Sequence, residues 1–397
     1  MLKNKIQLLA KKYHAQSVAV RRHLHAHPEL SFKEVETGKF IADQLSALQI
    51  PHTTGWADNG VVAIIEGKNP SNKTIALRAD FDALPITEAN EVPYVSLNKG
   101  VMHACGHDAH TASLLGAAKI LYELRDEWEG TLKLIFQPAE ERIPGGASLM
   151  IGEGVLKNPA PTAIVGQHVL PSLMVGKVGF RSGLYMASAD EIYLTVKGEG
   201  GHGAMPQLST DVVLMASHIV VALQHIVSRC ADPTIPTVLS FGKINSTGGA
   251  TNVLPNEVKL EGTFRTMNEK WRLEASELLK KTAQLTAESM GGTCEVEVRM
   301  GYPFLINDAL VTAESRRLAE EYLGAENVVE LPMRMTAEDF AYYAQVVPAC
   351  FYRLGTAATD GTKSSELHTD TFDIDESSLQ IGAGLMAWLA VGLLSKK

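Results

Sequence analysis

The chain has 397 residues, 45% of them hydrophobic and 20% charged, with a net charge of -9 at pH 7. That length exceeds the usual size of one compact core and sets two domains as the expectation. The acidic balance leaves no basic footprint for nucleic acid or an anionic membrane, and four scattered cysteines (Cys105, Cys230, Cys294, Cys350) argue against a disulfide framework and for a reducing compartment.

The first thirteen residues alternate Lys with short apolar groups and lack the continuous apolar stretch of a signal peptide. They read as an amphipathic helix running toward Arg21-Arg22-His23-Leu24-His25. Residues 37–48 carry a helical pattern, 61–66 and 74–78 read as strands, 112–124 as an apolar helix, and 131–136 and 163–167 as further strands. Short apolar strands alternating with helices predict an α/β fold: a mixed, largely parallel sheet with helices on both faces. In such sheets functional residues gather beyond the carboxyl ends of the strands. Arg78-Ala79-Asp80-Phe81-Asp82 follows one strand, Gln137-Pro138-Ala139-Glu140-Glu141 a second and His168 a third.

The texture changes near Gly183. Strand-like 190–197, helical 211–227, strand-like 237–244 and 257–265, helical 269–290 and strand-like 294–299 give a β-α-β-β-α-β order, that of a ferredoxin-like α+β insert. From about Tyr302 the chain returns to the first domain, with a helix over 311–323 and an uncharged run over 381–394. The expected division is therefore 1–182 with 300–397 as a discontinuous catalytic domain, and 183–299 as the insert. The final run is 14 residues long, whereas about 20 are needed to cross a bilayer. It reads as a buried core helix with Lys396-Lys397 at the negative end of its dipole, and the chain as soluble, cytoplasmic and without a membrane partner.

Between these strands lies Met102-His103-Ala104-Cys105-Gly106-His107-Asp108-Ala109-His110-Thr111, a thiol, three imidazoles and a carboxylate in ten residues. Donors this dense suit a divalent transition metal better than a core. From one short turn only Cys105 and His107 reach the same ion; His103 and His110 read as supporting or helix-capping residues. Glu140 and Glu141, just past a strand, can divide the labour of a metallohydrolase, one binding an ion and the other taking a proton from water. A pair of adjacent Glu is otherwise common on a solvated helix face, and His168 or His368 taken singly is more often a structural imidazole. Placed together, Cys105, His107, Glu141, His168 and His368 are too many donors for one tetrahedral zinc and enough for two ions sharing a bridging ligand.

The His103-to-Thr111 string, Arg78-Ala79-Asp80-Phe81-Asp82-Ala83-Leu84-Pro85, Phe136-Gln137-Pro138-Ala139-Glu140-Glu141 and Gly201-His202-Gly203-Ala204-Met205-Pro206 resemble the M20 metallopeptidase family. The match is to its amidohydrolase branch of hippurate hydrolases, N-acyl-amino-acid amidohydrolases and auxin-conjugate hydrolases. Arg22-His23-Leu24-His25-Ala26-His27-Pro28-Glu29-Leu30 and Leu367-His368-Thr369 fit it too. The resemblance implies a catalytic α/β domain with an inserted dimerisation domain, metal ligation by Cys105, His107, Glu141, His168 and His368, and Glu140 as general base. It puts Asp82 where the family has an aspartate that orients a ligand imidazole, and Asp80 where distant relatives have a metal-binding histidine. It implies that His202 stabilises the oxyanion in the partner subunit of a homodimer. Asn252 and Arg265 fall in segments like the family's substrate-facing ones, where they would grip a carboxylate; a salt bridge is the plain alternative for Arg265.

Gly198-Glu199-Gly200-Gly201-His202-Gly203 also has the spacing of a dinucleotide fingerprint, but Pro206 and the stretch to Thr210 separate it from any helix start, which argues against a nucleotide site. The reading is a metal-dependent amidohydrolase that cleaves an N-acyl amino acid with two divalent ions, zinc or manganese first and cobalt or nickel next. A dipeptidase or aminopeptidase is the near alternative, and a non-catalytic metal-binding or interaction protein the distant one.

Overall fold

The computed structural model describes residues 1–359 and 365–395, so Lys396-Lys397 lie outside the described residues. The chain divides into two compact units, Met1–Tyr185 with Ile306–Pro332 and Asp339–Lys397, and Met186–Leu305 with Met333–Glu338. In chain order the first unit contributes helices α1 (Leu2–Ala26) and α2 (Val35–Ala47), and strands β1 (His52–Trp56), β2 (Gly60–Glu66) and β3 (Thr74–Asp80). Helix α3 (His107–Glu123) and strands β4 (Thr131–Gln137), β5 (Ala163–Met174) and β6 (Val178–Phe180) follow. The second unit supplies β7 (Asp190–Lys197), α4 (Val212–His225), β8 (Thr237–Ser246), β9 (Glu257–Thr266), α5 (Glu269–Ser289) and β10 (Thr293–Met300). The chain then returns with α6 (Ala309–Leu323), β11 (Val328–Glu330), β12 (Ala349–Ala357) and α7 (Ser378–Ser395).

The first unit is built on an eight-stranded sheet of order β1-β2-β4-β3-β5-β12-β6-β11. Its middle, β4-β3-β5-β12, is wholly parallel, while β1-β2, β2-β4 and β12-β6 pair antiparallel. β3 and β4 are buried along their whole length, as strands covered on both faces must be. Helices α1, α3 and α7 share one core. Gly116 on α3 makes their close approach possible, since a Cβ there would lie 2.8 Å from the Ala383 Cβ on α7.

α7 is 18 residues, longer than the 14 read from sequence, because Ser378 to Gln380 and Ser395 also adopt helix. It and the helical stretch Val212–Cys230 are long and apolar enough to cross a membrane by length and composition. α7 is mostly buried in the first unit's core, with Leu385, Met386 and Leu389 inaccessible.

The second unit has a four-stranded antiparallel sheet of order β8-β9-β7-β10, with α4 and α5 packed on it over Ile192, Leu194, Val196 and Phe264. That is the ferredoxin-like β-α-β-β-α-β order. Both helices start on a side-chain cap: Asp211 accepts from Val213 N and Leu214 N, and Asn268 from Trp271 N. Met333–Glu338 packs with this unit although it lies far along the return segment.

Candidate metal centre

Three neighbouring strands bring the polar residues together. Asp80 ends β3 and Asp82 lies just beyond it, Glu140 and Glu141 lie beyond β4, and His168 sits inside β5. The last point corrects the sequence reading, which ended that strand at residue 167: the apolar run continues through Val169-Leu170 and β5 extends to Met174. α3 also starts earlier than expected, at His107, and follows Gly106 in the left-handed conformation (φ +83°). A Cβ at Gly106 would lie 2.5 Å from Val169 Cγ2, so this turn between Cys105 and His107 demands glycine on two counts.

Cys105 Sγ lies at the centre. His168 Nε2 is 3.5 Å from it and His368 Nε2 3.4 Å, and His368 Nε2 is also 3.4 Å from Glu141 Oε1. His107 Nε2 is 3.9 Å from both Glu141 Oε1 and Glu140 Oε2. Donor atoms of Cys105, His107 and His168 lie within 4.8 Å of one another, as do those of Cys105, Glu141 and His368, and of His107, Glu140 and Glu141. All five sequence-predicted ligands and Glu140 are thus brought together.

The far side of each ring says which nitrogen faces inward. His107 Nδ1 donates to Asp82 O (2.9 Å) and Asp82 Oδ1 (3.1 Å), and His168 Nδ1 donates to Val169 O (2.8 Å). Both leave Nε2 directed into the site, the arrangement by which partners outside a metal site fix imidazole ligands. His110 is different: its Nδ1 bonds Asp80 Oδ1 and its Nε2 accepts from Val169 N at 2.9 Å. With both nitrogens engaged it supports the site and offers no lone pair. Asp80 is likewise taken, since its other oxygen accepts from Arg78 Nη1 at 2.6 Å. His103 is buried with neither ring nitrogen bonded among the described residues, and burial holds its imidazole down at about 4.

The pocket is electrostatically primed. Burial and Glu141 push the Cys105 thiol up. Burial opposes a charge on His107, but Asp80 and Cys105 outweigh it and hold that imidazole well above its ordinary range. Burial and Arg353 hold His168 well below it. Among the described residues, His107 Nε2 and Glu141 Oε1 are buried without a hydrogen bond of good geometry, the His368 contact at 3.4 Å being the nearest approach to the latter. Orphaned groups of this kind are costly unless a ligand satisfies them. With the thiol and three imidazoles around them, the residues present fit divalent transition-metal ions.

Ser31, Glu34 and Asp339 support the site without any local signal in the sequence. Ser31 Oγ donates to Asp82 Oδ2 (2.6 Å), which also accepts from Glu141 N (2.9 Å). Glu34 accepts from Ala139 N (2.8 Å) and Asn59 Nδ2 (3.2 Å) and so braces Ala139, whose φ is +54°. Arg78 donates to Gln137, Asp80 and Asp339, and Asp339 N–H reaches Glu140 Oε1 at 3.4 Å. Ser31 and Glu34 lie about fifty and a hundred positions from their partners in the chain, beyond the reach of any local pattern.

The remaining candidates lie in the second unit. His202 is exposed on the short strand Gly201–His202, which pairs with Val253–Leu254, and its Nδ1 accepts from Ala204 N at 3.1 Å. Asn252 is beside it, its carbonyl accepting from Gly203 N at 2.8 Å. Arg265 on β9 donates to Met335 O at 3.2 Å and has no carboxylate partner among the described residues, which disfavours the plain salt-bridge alternative.

The sequence pattern of peptidase family M20/M25/M40 matches residues 76–391. The chain is 41% identical over 307 residues to an N-acyl-L-amino acid amidohydrolase of Geobacillus stearothermophilus, covering 77% of this chain and 82% of that protein. It is 40% identical over 365 residues to an N-acetyl-L-cysteine deacetylase of Bacillus subtilis, covering 92% and 85%. Among solved structures it resembles the Bacillus subtilis YXEP protein, a dinuclear metal binding peptidase from the M20 family, with TM-score 0.83, 35% identity and 98% and 99% of the two chains covered.

Proposed function

This chain belongs to peptidase family M20/M25/M40, and from that membership we propose that it hydrolyses the amide bond of N-acyl amino acids with two divalent metal ions. It is a hydrolase of the amidohydrolase kind. The observation that carries the reading is the convergence of His107, His168, Glu141 and His368 on the Cys105 thiol, with Glu140 at its edge. Cys105, His107, Glu141, His168 and His368 would hold the ions; zinc or manganese suits this mixed donor set. When bound, the ions supply Lewis acidity that acidifies a water and draws charge from the substrate carbonyl.

The chain's own residues do the rest. Glu140 takes the proton of the attacking water and passes it to the nitrogen of the leaving amine, so one carboxylate serves first as base and then as acid. Asp339 N–H and the turn braced by Glu34 keep the Glu140 carboxylate aimed. Asp82 orients His107 through its Nδ1. His202 of one protomer donates to the oxyanion in the site of the other, and Asn252 with Arg265 binds the carboxylate of the amino-acid half. Burial without a carboxylate partner leaves Arg265 disposed to accept one.

The homodimer forms through the second unit. Val213, Leu214 and Val253, each 43–50% exposed, line one cleft there, and Val221 and Ile244 are more exposed still. Apolar side chains sharing an exposed cleft favour a partner. The enzyme works in the cytoplasm on small N-acyl amino acids.

The test is a hydrolysis screen of metal-loaded protein with acetyl-, benzoyl- and long-acyl-amino acids against unblocked dipeptides. Turnover of the acylated substrates is expected, and Glu140→Gln is expected to lower it by about 10²–10⁴-fold while ions stay bound. Preferential cleavage of unblocked dipeptides would replace this reading with a dipeptidase. Near-normal turnover by a fully metallated Glu140→Gln protein would remove Glu140 from the mechanism.

A further inference from the structure

His368 is held differently from the other candidate ligands. His107 and His168 sit on regular elements with Nδ1 tied down, and Glu141 has its own N–H on Asp82. His368 lies in a segment with neither helix nor strand, at φ +63°, its side chain 53% exposed. Among the described residues nothing bonds its Nδ1; its side-chain contacts are those of Nε2 with Cys105 and Glu141. Its position must therefore come from the anchors of the segment that carries it.

Three of these are single hydrogen bonds: His368 N to Ala104 O (2.8 Å), Ala89 N to Asp370 O (2.8 Å) and Asn90 Nδ2 to Phe372 O (3.1 Å). Ionic anchors add to these: Glu376, farther along, is held by Arg22 at 2.6 and 2.8 Å and lies 3.5 Å from Arg21 Nη1, and Asp373 is held by Arg21 itself. Asp373 Oδ1 accepts from Arg21 Nη2 at 2.7 Å, and Oδ2 accepts from Tyr94 OH at 2.8 Å. Arg21 is wholly buried, and its Nε donates to Oδ2 of Asp108, the residue after His107, at 2.8 Å. His25 braces the same carboxylate through Nδ1 (2.7 Å) and holds Glu88 through Nε2 (3.1 Å). One guanidinium thus ties the His368 segment to the helix that begins at His107. Charge-assisted bonds of this geometry are the stronger ones, and a planar fork suits two carboxylates at once.

We propose that Arg21, Asp373 and Tyr94 form a latch that positions His368, and that they act as positioning residues for one of the two ions; this rests on the dinuclear reading above. The asymmetry comes from the donor groups. Cys105, His107 and His168 close on one another without His368, whereas the group of Cys105 and Glu141 is completed by it. Loosening the latch should weaken one ion and spare the other. Residues that orient metal ligands from outside typically change affinity by about 10–100-fold.

Zinc-loaded protein dialysed against rising concentrations of a chelator tests this, with ions remaining per chain as the readout. Wild type is expected to retain two ions over a common range. Asp373→Asn should release one ion at about 10–100-fold lower chelator, with the other retained within about twofold of wild type. Tyr94→Phe, which removes one hydroxyl and leaves the buried ion pairs in place, should shift the same ion in the same direction by less. It keeps the test open should Asp373→Asn fold poorly by circular dichroism. Wild type with two ions and both variants releasing them as wild type does overturns the latch alone, as does equal weakening of both ions. Wild type that never holds two ions overturns the parent reading and the latch together.

Discussion

Asp82 accepts from three parts of the chain at once: His107 Nδ1, Ser31 Oγ and Glu141 N. A single carboxylate thereby fixes one imidazole and the backbone of the second Glu, and these bonds keep it ionised below its ordinary range despite burial. Beside it, Glu34 pays the opposite way. Burial and the Asp82 charge push the Glu34 carboxyl up from 4.5 to about 7. Between those two values the folded state holds a proton that the unfolded chain has released, so Glu34 makes stability fall as pH rises through that window. The loss is at most about 3 kcal/mol, at 1.36 kcal/mol per pKa unit. Urea unfolding of wild type and Glu34→Gln at pH 5 and pH 7.5 checks it. The stability of wild type relative to the variant is expected to drop by about 1–3 kcal/mol across that interval. A constant difference would mean that the Ala139 and Asn59 donors keep Glu34 ionised throughout.

At the scale of elements, the strands that carry the site were legible because they are buried on both faces and read as unbroken apolar runs. β3 ends on Asp80 and β4 shortly before Glu140, and the polar residues there stood out for that reason. Two features were not legible. The first turn of α3 was missed because His107, Asp108, His110 and Thr111 are polar yet buried, facing the site and α1 rather than solvent. β12 was missed because its place beside β5 comes from parallel pairing across almost two hundred residues, which no local pattern specifies. The glycine at the head of α3 gives this a test. Gly106→Ala carries a left-handed penalty of about 1–2 kcal/mol and also drives a Cβ into Val169, so the total should exceed the penalty alone. Gly100 has nearly the same φ, +82°, with nothing near its missing Cβ. Gly100→Ala should therefore cost only the conformational term and keep its metal content, while Gly106→Ala should cost more and lose metal, because it displaces Cys105 and His107. Equal destabilisation in thermal unfolding, with metal retained by both, would show that the contact with Val169 relaxes freely.

At the scale of the whole molecule, the proposed role of His202 in a partner's site makes a prediction of its own. His202 stands exposed on a two-residue strand, held in place by its pairing with Val253 and by Gly203 closing on Asn252. The nearby cleft, lined by Val213, Leu214 and Val253 together with Asp211, Ser217 and Thr251, is where the proposal seats a second copy. If His202 acts across that interface, Glu140→Gln and His202→Ala homodimers are each defective at both sites. A mixed dimer is not. The site with intact Glu140 receives an intact His202 from the other chain, and the remaining site carries both defects. Each heterodimer should then recover about half the activity of a wild-type dimer, and an equimolar mixture at random exchange about a quarter, since half of its dimers are mixed. Activity measured against mixing ratio, with heterodimer content followed by differently tagged chains, gives the result. A His202 acting within its own chain predicts no recovery at any ratio, because every site would then keep one defect. Full heterodimer formation without activity would thus end the trans assignment, and a monomer at micromolar concentration would end the dimer with it.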